Sequence, residues 1–351
     1  MCASLQGRPI GRQDCFYLPQ IFKRIEMKLK LVCKAIAIFA AIAFAGCETI
    51  DPLEPGMLVP KTVDQDPSLP SISVNNTLLH SETFGNPDSA MVVVLHGGPG
   101  GDYRSLLNCQ AFTSNGYFVV FYDQRGAGLS KRHDKDVYSI QSTLDDLTAV
   151  IEHYRSSVNQ KVFFIGHSWG AMLATAYINA YPVSVNGAVL AEPGGFTWKD
   201  TEDYLSRSNK ITILSEETSD AVYFDQIFTG KENEHEILDY KAQLLAAFEN
   251  AKGNTIGNAG QYPFWRSGAV TSNAYFEIAD RDGFNWTTNL TQFTPKVLFM
   301  YSELNTAYGL QHAQRVSSAY SNVQLEKVNG TGHELLYFGW NNLNKLVIFG
   351  G

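Results

Sequence analysis

Short apolar runs alternate with longer amphipathic segments along the chain after about residue 72. Such runs are typical of strands that are buried on both faces of a sheet. The pattern predicts strands over 91–95, 117–122, 162–165, 188–191, 296–301 and 323–328, and helices over 142–154 and 171–181. Strands that alternate with helices indicate an α/β protein whose mostly parallel sheet is flanked by helices.

Two segments depart from this alternation. Residues 72–74 and 78–84 predict an opening hairpin that turns at Asn75-Asn76. Between the strands 188–191 and 296–301 lie about a hundred residues, far more than an ordinary connection needs. We therefore predict a cap inserted over 196–290, rich in aromatic residues, and a core formed by 72–195 and 291–351.

Ser168 is the candidate nucleophile. It lies in Gly166-His167-Ser168-Trp169-Gly170, directly after a predicted strand and directly before a predicted helix. A serine on such a sharp turn projects its hydroxyl above the sheet edge, and the flanking glycines avoid clashes of a Cβ. A glycine-rich turn that contains a serine by chance is the alternative, and the strand and helix around this turn favour the nucleophile.

A glycine-rich loop, His96-Gly97-Gly98-Pro99-Gly100-Gly101, follows the predicted strand 91–95. Acyl transfer needs amide N–H groups that point at the oxygen that becomes negative in the transition state. The amides of Gly98 and Trp169 are the predicted donors. A phosphate-binding loop is excluded because no Gly-Lys-Ser/Thr follows, and the spacing does not fit a dinucleotide fingerprint.

His333 is the candidate general base. It lies in Asn329-Gly330-Thr331-Gly332-His333, on the loop that follows the predicted strand 323–328. Among the histidines it alone lies after the serine in the chain and at the end of a strand. His96 and His167 lie inside the turns already described, and we expect both to be structural.

These motifs, together with 121–130 (Phe-Tyr-Asp-Gln-Arg-Gly-Ala-Gly-Leu-Ser), resemble the α/β-hydrolase fold and, more narrowly, the proline iminopeptidase family of serine aminopeptidases. The resemblance covers residues 72–345 and is weakest in the middle. It implies release of an N-terminal residue by Ser168, with a small peptide or ester as substrate. It implies no metal or organic cofactor, and no cluster of ligands with metal-binding spacing is present in the sequence.

The acid of the expected Ser-His-acid triad departs from the family pattern. The family aspartate corresponds to Asn305, and an amide cannot stabilise an imidazolium by charge. Glu192, at the end of the predicted strand 188–191, is the predicted replacement, similar to the relocated glutamate of some haloalkane dehalogenases. Glu303 is the alternative acid. The serine nucleophile disfavours dehalogenase chemistry itself, which uses an aspartate there.

The resemblance also implies an acidic group in the cap that holds the substrate's free ammonium. Glu277 stands near the corresponding position and is the candidate, with a solvated surface charge as the alternative.

The first part of the chain predicts export. Lysines in 27–34 precede the apolar segment 35–45, which is too short to span a membrane, and small residues follow. Phe44-Ala45-Gly46-Cys47 resembles a bacterial lipobox, so we expect 1–46 to be a signal segment, with Met27 as an alternative initiator. Cys47 would then carry lipid, and 47–71, rich in Pro and Asp, would be an extended tether of a cell-envelope lipoprotein. An ordinary signal peptide or an amphipathic anchor is the alternative.

The charge excludes one class of partner. The chain has 27 Lys/Arg and 35 Asp/Glu. Residues 1–46 contain seven of the former and two of the latter, so cleavage leaves 20 against 33, a net charge of −13. Such an acidic protein is not expected to bind nucleic acid. An esterase or amidase with the same machinery, and a binding protein on a hydrolase scaffold, remain as alternative functions.

Overall fold

The computed structural model describes residues 58–208, 234–249 and 255–343. The predicted signal segment, Cys47 and the first part of the predicted tether therefore lie outside the described residues. Within the described ranges, no helix is both long enough and apolar enough to cross a membrane.

An eight-stranded, mostly parallel sheet forms the centre of the fold. The strands are β1 (Ser71–Val74), β2 (Thr77–Phe84), β3 (Met91–Leu95), β4 (Phe118–Tyr122), β5 (Val162–His167), β6 (Ala188–Ala191), β7 (Val297–Ser302) and β8 (Val323–Val328). Their order is β1-β2-β4-β3-β5-β6-β7-β8, and only the β1–β2 and β2–β4 pairs are antiparallel. The predicted fold class is confirmed.

Helices cover the sheet and form the inserted cap. They are α1 (Ile140–Tyr154), α2 (Trp169–Ala180), α3 (Trp198–Ser208), α4 (Glu234–Glu249), α5 (Ala269–Asp282), α6 (Gly309–Ser317), α7 (Leu335–Phe338) and α8 (Trp340–Leu343), with 3₁₀ helices at Arg104–Asn115, Lys135–Val137 and Leu290–Gln292. Helices α3, α4 and α5 lie between β6 and β7, where the sequence predicts an insertion.

Local sequence explains two of these boundaries. Asn75 and Asn76 both have positive φ angles, 42° and 61°, which the two-residue turn between β1 and β2 requires and which asparagine tolerates. Helix α1 begins at Ile140 rather than at the predicted residue 142. Ser139 and Ser142 form a reciprocal capping box with two 3.0 Å hydrogen bonds, and this cap adds half a turn.

The loop after β4 is fixed by buried charges. Arg125 donates two 2.8 Å hydrogen bonds to Asp146 of α1 and a third, of 2.9 Å, to the carbonyl of Asn75 in the hairpin turn. The Asp123 carboxylate accepts a hydrogen bond from the Leu129 amide. A Cβ added to Gly128 would lie 2.1 Å from the carboxyl carbon of Asp123. Removing one partner of such a buried ion pair costs about 3–5 kcal/mol, so these contacts stabilise the loop in its observed conformation.

A second buried ionic cluster attaches the cap to the core. Asp239 of α4 binds Arg132 at 2.8 Å and Arg266 at 2.7 Å, and its other oxygen accepts from the Ala269 amide at the start of α5. The Arg266 side chain is only 1% exposed, so the cluster holds two cap helices against the core loop that contains Arg132.

The segment before β1 corrects the prediction of an extended tether. Val59, Thr62 and Val63 are buried, and the Val63 amide donates to the Leu129 carbonyl at 2.8 Å. Arg266 donates to the carbonyl of Pro60, also at 2.8 Å. Residues 58–70 therefore pack on the domain, and the predicted tether does not continue to residue 71. Composition alone could not show that Val59 and Val63 would be buried.

Candidate active site

Ser168 lies on the sharp turn between β5 and α2. Its φ of 52° and ψ of −119° are unusual for a residue other than glycine. A Cβ on Gly166 would lie 2.5 Å from the Gly170 carbonyl oxygen, and one on Gly170 would lie 2.0 Å from the Leu95 carbonyl oxygen. The two glycines let the strand, the turn and the helix come this close, which gives the geometry of a nucleophile elbow.

The glycine-rich loop after β3 lies beside this serine. A Cβ on Gly97 would lie 3.2 Å from the Ser168 Cβ. Gly98, whose φ is 125°, lines a cavity together with Ser168 and Trp169. The two residues whose amides are the predicted oxyanion donors therefore border the same cavity as the serine.

Gln124 connects the two loops. It accepts a 2.9 Å hydrogen bond from the Trp169 indole, and its side-chain amide donates to the His96 carbonyl at 3.0 Å. Its backbone amide donates to His96 Nε2 at 2.9 Å, so that nitrogen carries no proton. Burial lowers the pKa of His96, in agreement with a neutral ring. His96 is thus a structural residue, as the sequence predicts.

Glu192 and His333 form a buried pair. The Glu192 carboxylate is completely buried at the end of β6, and its Oε2 lies 2.8 Å from His333 Nδ1. Glu192 has a positive φ of 45°, and its amide donates to the Met300 carbonyl at 2.9 Å. The structure therefore places the relocated glutamate, and not residue 305, against the ring of the candidate base.

Three further hydrogen bonds satisfy the Glu192 carboxylate. Its Oε1 accepts from the amide of Ser302 at 2.6 Å and from the hydroxyl of the same residue at 2.5 Å. Its Oε2 accepts from Asn305 Nδ2 at 2.9 Å. A buried carboxylate is stable only with such partners, and these bonds keep it charged and fixed.

The contact between Glu192 and His333 lowers the pKa of the glutamate and raises the pKa of the histidine. Burial raises the pKa of Glu192, but the hydrogen bonds and charge of His333 and the donors of Ser302 outweigh it, and the net pKa is lowered. Burial lowers the pKa of His333, but the hydrogen bond and the charge of Glu192 outweigh it, and the net pKa is raised. The site therefore stabilises an imidazolium beside a carboxylate, as proton transfer in acyl transfer requires.

Asn305 has a defined role at the position of the usual aspartate. One amide hydrogen goes to Glu192, and the other goes to the Tyr204 hydroxyl at 3.1 Å. Its Oδ1 accepts from the Tyr308 amide at 3.2 Å. A hydrogen-bond donor fits here because the neighbouring oxygen belongs to a charged carboxylate, whereas an ionised aspartate at this position could only accept and would repel it. Through Tyr204, the cap helix α3 is also connected to the acid.

Glu303, the alternative acid, points away from His333. It is 41% exposed and accepts 3.0 Å hydrogen bonds from Lys327 Nζ and from the Gly330 amide. Glu303 directly follows Ser302, the last residue of β7, and neighbouring side chains along an extended backbone point to opposite sides.

Glu277 does not lie in the cavity, so its predicted role at the substrate's ammonium is corrected. It pairs with Lys135 on the surface, and its side chain is 54% exposed. Tyr275, Phe276 and Ala279 of the same helix line the cavity. Because a helix turns by about 100° per residue, Glu277 points to a different side of the helix from these residues. The prediction used only the distance in sequence to the next motif, which does not tell which side of a helix a residue occupies.

The cavity beside Ser168 is mainly aromatic and apolar. Cap residues from α3 and α5 face residues of the core across it, and among the described residues that line it there is no carboxylate. The apolar side chains include Trp169, Met172, Trp198, Leu205, Phe276 and Phe284. Among the described residues, no group of three or more His, Cys, Asp or Glu side chains could hold a metal ion.

Ser302, Tyr204 and Glu334 belong to this site and were missed in the sequence. Ser302 could have been found, because β6 and β7 are neighbouring parallel strands and their carboxyl ends meet at one edge. Tyr204 lies in the cap, where no pattern indicates which aromatic side chain reaches the core. Glu334 directly follows His333 and is nearly buried, with its Oε2 3.9 Å from His167 Nδ1.

The first prediction concerns the neutral residue at position 305. Asn305→Asp would place a second carboxylate about 2.9 Å from Glu192, where repulsion and burial raise the pKa of the new acid. We expect a loss of stability on the order of 3 kcal/mol near neutral pH. Because the folded-state pKa is raised, the loss is largest above that pKa and shrinks as the pH falls towards the unfolded value.

Urea denaturation at several pH values measures this effect. The control is Asn86→Asp, an exposed turn residue whose Oδ1 accepts from the Asp88 amide and can do so as a carboxylate. Equal stability of Asn305→Asp and the parent chain near neutral pH would contradict the assigned hydrogen bond between Asn305 and Glu192.

Comparison with known proteins finds similarity to the same family that the motifs resemble. Residues 86–244 match the family of serine aminopeptidases, S33. A proline iminopeptidase of Arabidopsis thaliana is 36% identical over 149 residues, which are 41% of this chain and 38% of the relative. A proline iminopeptidase of Neisseria meningitidis serogroup A is 34% identical over 136 residues, 37% of this chain and 42% of the relative. The chain thus spans about two fifths of the length of the curated relatives it matches.

Solved structures show the same fold over most of the chain. A proline iminopeptidase of Mycobacterium smegmatis is matched with a TM-score of 0.53 and 17% identity, over 80% of this chain and 96% of that chain. An enol-lactonase of Burkholderia xenovorans is matched with a TM-score of 0.54 and 14% identity, over 79% and 97%. The resemblance seen in the motifs is confirmed: the chain has the α/β-hydrolase fold, and its residues 86–244 are similar to the serine aminopeptidases of family S33.

Proposed function

We propose that this chain is a serine hydrolase that removes the N-terminal residue of a small peptide, in the manner of a proline iminopeptidase. The observation that carries the proposal is the buried contact of Glu192 with His333, 2.8 Å long, behind a serine on a nucleophile elbow. The family match over 86–244 and the proline iminopeptidases among the relatives support the peptidase class.

In the proposed mechanism, the Ser168 hydroxyl attacks the carbonyl carbon of the first peptide bond. His333 takes the hydroxyl proton on Nε2, the ring nitrogen that faces away from Glu192, and the carboxylate stabilises the resulting imidazolium. The amides of Gly98 and Trp169 donate to the oxyanion. The C–N bond then breaks, the leaving amine takes the proton from His333, and a water molecule hydrolyses the acyl-enzyme by the same steps.

The cavity fits an apolar first residue. Its walls are aromatic and apolar and include Trp169, Phe276 and Phe284. They would exclude water from a small ring in the first residue of the substrate, and the hydrophobic effect would favour burial of that ring. Proline is such a residue, and the relatives named proline iminopeptidase make it the first substrate to test.

An esterase or amidase is the second candidate. It is favoured by the absence of a carboxylate among the described residues that line the cavity, since a neutral acyl group needs no counter-charge there. Hydrolysis of proline naphthylamide compared with a short-chain nitrophenyl acyl ester separates the two activities.

We also propose that the chain is an exported lipoprotein of the bacterial cell envelope, anchored in the membrane through lipid on Cys47. The lysines, the apolar segment and the lipobox-like Phe44-Ala45-Gly46-Cys47 support this location. The net charge of −13 after cleavage supports small-molecule substrates rather than nucleic acid.

The nucleophile is tested by Ser168→Ala. We expect kcat/KM to fall by on the order of 10⁶-fold on every substrate that the parent chain cleaves, with unchanged thermal stability. The matched control is Ser206→Ala, an exposed serine of α3. Turnover by Ser168→Ala close to that of the parent chain would refute the mechanism.

The acid is tested by Glu192→Gln, with Glu303→Gln as the matched surface control. A glutamine must present either an amide donor or an oxygen to His333, and it removes the charge that stabilises the imidazolium, so we expect kcat to fall by about 10⁴-fold. Because the hydrogen bond and the charge of Glu192 raise the pKa of His333, the acid limb of the residual activity should lie at a lower pH than that of the parent activity.

A pH profile of kcat/KM for the parent and both variants measures this shift, since His333 must be neutral to accept the serine proton. If Glu303→Gln reduces turnover as strongly as Glu192→Gln does, or if the acid limb of Glu192→Gln moves to higher pH, the assigned acid is wrong.

The anchor is tested by Cys47→Ala in a bacterial host that processes lipoproteins. Loss of the lipid attachment point should leave the chain uncleaved or release it from the membrane fraction. Cys33→Ala, in the lysine-containing part of the signal segment, is the control and should partition like the parent chain, as should a chain that begins at Met27. Normal processing and membrane partition of Cys47→Ala would refute the lipoprotein proposal.

A further inference from the structure

The wall of the cavity beside Ser168 contains a buried hydroxyl that the protein itself does not bind. Thr201 of α3 is only 6% exposed, and it lines the cavity. Its Oγ1 has no hydrogen-bond partner among the described residues. A buried hydroxyl without a partner destabilises a fold, so one that is kept in the wall of a cavity indicates a partner on the molecule that enters the cavity.

The Thr201 hydroxyl is turned away from its own helix. A threonine inside a helix commonly donates to the carbonyl four residues earlier, as Thr148 of α1 does to Leu144 at 2.9 Å. Thr201 makes no such side-chain bond to Thr197, although its backbone amide donates to the Thr197 carbonyl at 3.1 Å. The helix therefore leaves this hydroxyl free for another partner.

The methyl group of Thr201 packs against the core. A Cβ added to Gly194 would lie 3.4 Å from Thr201 Cγ2 and equally far from Met172 Sδ. Gly194 and Met172 both line the cavity. The methyl branch of the side chain thus contacts an apolar part of the wall, and Oγ1 is the branch that is left for a polar contact.

Apart from the nucleophile, the other buried polar side chains of the wall are already engaged. The Trp169 indole is hydrogen-bonded to the loop after β4, the Tyr204 hydroxyl to the loop after β7, and the Tyr275 hydroxyl to α1. Within the part of the chain that the structure describes, Thr201 is therefore the buried side chain of the wall that can offer a hydrogen bond to the acyl part of a substrate.

Helix α3 holds this hydroxyl at a fixed place relative to the acid. Tyr204, one turn further along the helix, is hydrogen-bonded to Asn305, which is hydrogen-bonded to Glu192. On another side of the helix, Arg315 of α6 binds Asp200 at 2.9 Å. A donor that is already fixed loses little conformational entropy when a ligand binds.

The wall favours a neutral partner for the hydroxyl. Among the described residues that line the cavity there is no Asp, Glu, Lys, Arg or His side chain. A charged group opposite Thr201 would lose its hydration without a counter-charge, whereas a ketone, amide or hydroxyl oxygen needs only one donor.

We propose that Thr201 Oγ1 donates a hydrogen bond to a neutral oxygen on the acyl part of the substrate, and so determines which acyl groups are preferred. The inference rests on the proposed hydrolase activity, and it applies both to the side chain of the first residue of a peptide and to the chain of an ester. Because the rest of the wall is mainly aromatic and apolar, the preferred acyl group is apolar with one oxygen opposite Thr201.

A series of nitrophenyl esters tests this contact. The hexanoate is compared with hexanoates that carry a ketone on the third, fourth or fifth carbon, so that one of the oxygens can lie opposite Thr201. We expect the parent chain to favour one of these ketones over the hexanoate by about tenfold in kcat/KM, the effect of one neutral hydrogen bond.

Thr201→Val keeps the branched shape of the side chain and removes the hydroxyl. It should cancel the preference for the ketone, and kcat/KM for the hexanoate should rise because the hydrocarbon chain no longer covers an unpaired hydroxyl. Thr201→Ser keeps the hydroxyl and should retain the preference. Equal losses on both esters in Thr201→Val, or a parent chain that favours none of the ketones, would overturn the proposal.

The matched control is Thr148→Val, which removes a hydroxyl of α1 that is bound within its own helix. It should leave the preference for the ketone as it is in the parent chain. A preference that is lost in Thr148→Val as completely as in Thr201→Val would mean that the substitution acts through the fold, and the proposed contact would be wrong.

Stability separates a contact with the substrate from a contact within the protein. Valine and threonine have similar helix propensities, so each replacement reports mainly on the hydroxyl. Thr148→Val removes a hydrogen bond and should lower the urea midpoint of unfolding. Thr201→Val should raise the midpoint, because a methyl group replaces a buried, unpaired hydroxyl. A midpoint that Thr201→Val lowers as much as Thr148→Val does would overturn the proposal.

The failures of the two proposals give different results. If the parent chain hydrolyses none of the esters, calorimetric affinities of the same esters for the Ser168→Ala chain, with and without Thr201→Val, replace kcat/KM. A preference for a ketone that Thr201→Val removes supports the contact even if proline naphthylamide is not cleaved, and the peptidase function then fails alone. Cleavage of proline naphthylamide without any preference for a ketone upholds the peptidase function and overturns the contact.

Discussion

The hydrogen bond between the Glu192 carboxylate and the His333 ring is the contact on which the rest of the site depends. A fully buried charge at the end of β6 would destabilise the fold without compensation, and Ser302 and Asn305 are placed to supply it. Each of these donors comes from the next strand, β7, or from the loop after it. The four hydrogen bonds of the Glu192 carboxylate therefore orient His333 and connect the end of β6 to β7 and the loop after it. They also explain why an asparagine stands at the usual position of the acid.

Backbone strain is concentrated at this edge of the sheet. Ser168 and Glu192 both have positive φ angles, each of which costs on the order of 1–3 kcal/mol in a residue other than glycine. Both are held by hydrogen bonds to the neighbouring strand, from the Ser168 amide to the Ala191 carbonyl and from the Glu192 amide to the Met300 carbonyl. The parallel register of β5, β6 and β7 thus aligns the serine and the acid, while the loop after β8 brings His333 into hydrogen-bond contact with the acid.

The sequence predicts most of this arrangement where a local rule applies. The elbow around Ser168 needs small neighbours, and the turn at Asn75-Asn76 needs positive φ angles, so both can be read from residue types. Glu192 could be predicted because it ends a strand whose place in the fold is fixed. The position of Glu277 could not be predicted, because tertiary contacts decide which face of a cap helix points to the cavity. The packing of residues 58–70 on the domain could not be predicted either, because such contacts leave no periodic pattern in the sequence. Asn305 shows the same limit, because its role depends on a carboxylate that is far away in the chain.

The central claim is that buried Glu192, acting through His333, makes Ser168 a nucleophile. Labelling by a fluorophosphonate tests this claim most directly, because it requires the serine, the base and the oxyanion donors but no knowledge of the substrate. The rate should be followed against pH, and the modified residue identified by peptide mass mapping. The account predicts a single adduct on Ser168, formed at a rate that rises with pH through a midpoint above the ordinary pKa of a histidine. An unlabelled Ser168, or labelling at a rate that does not change across that range, would contradict it.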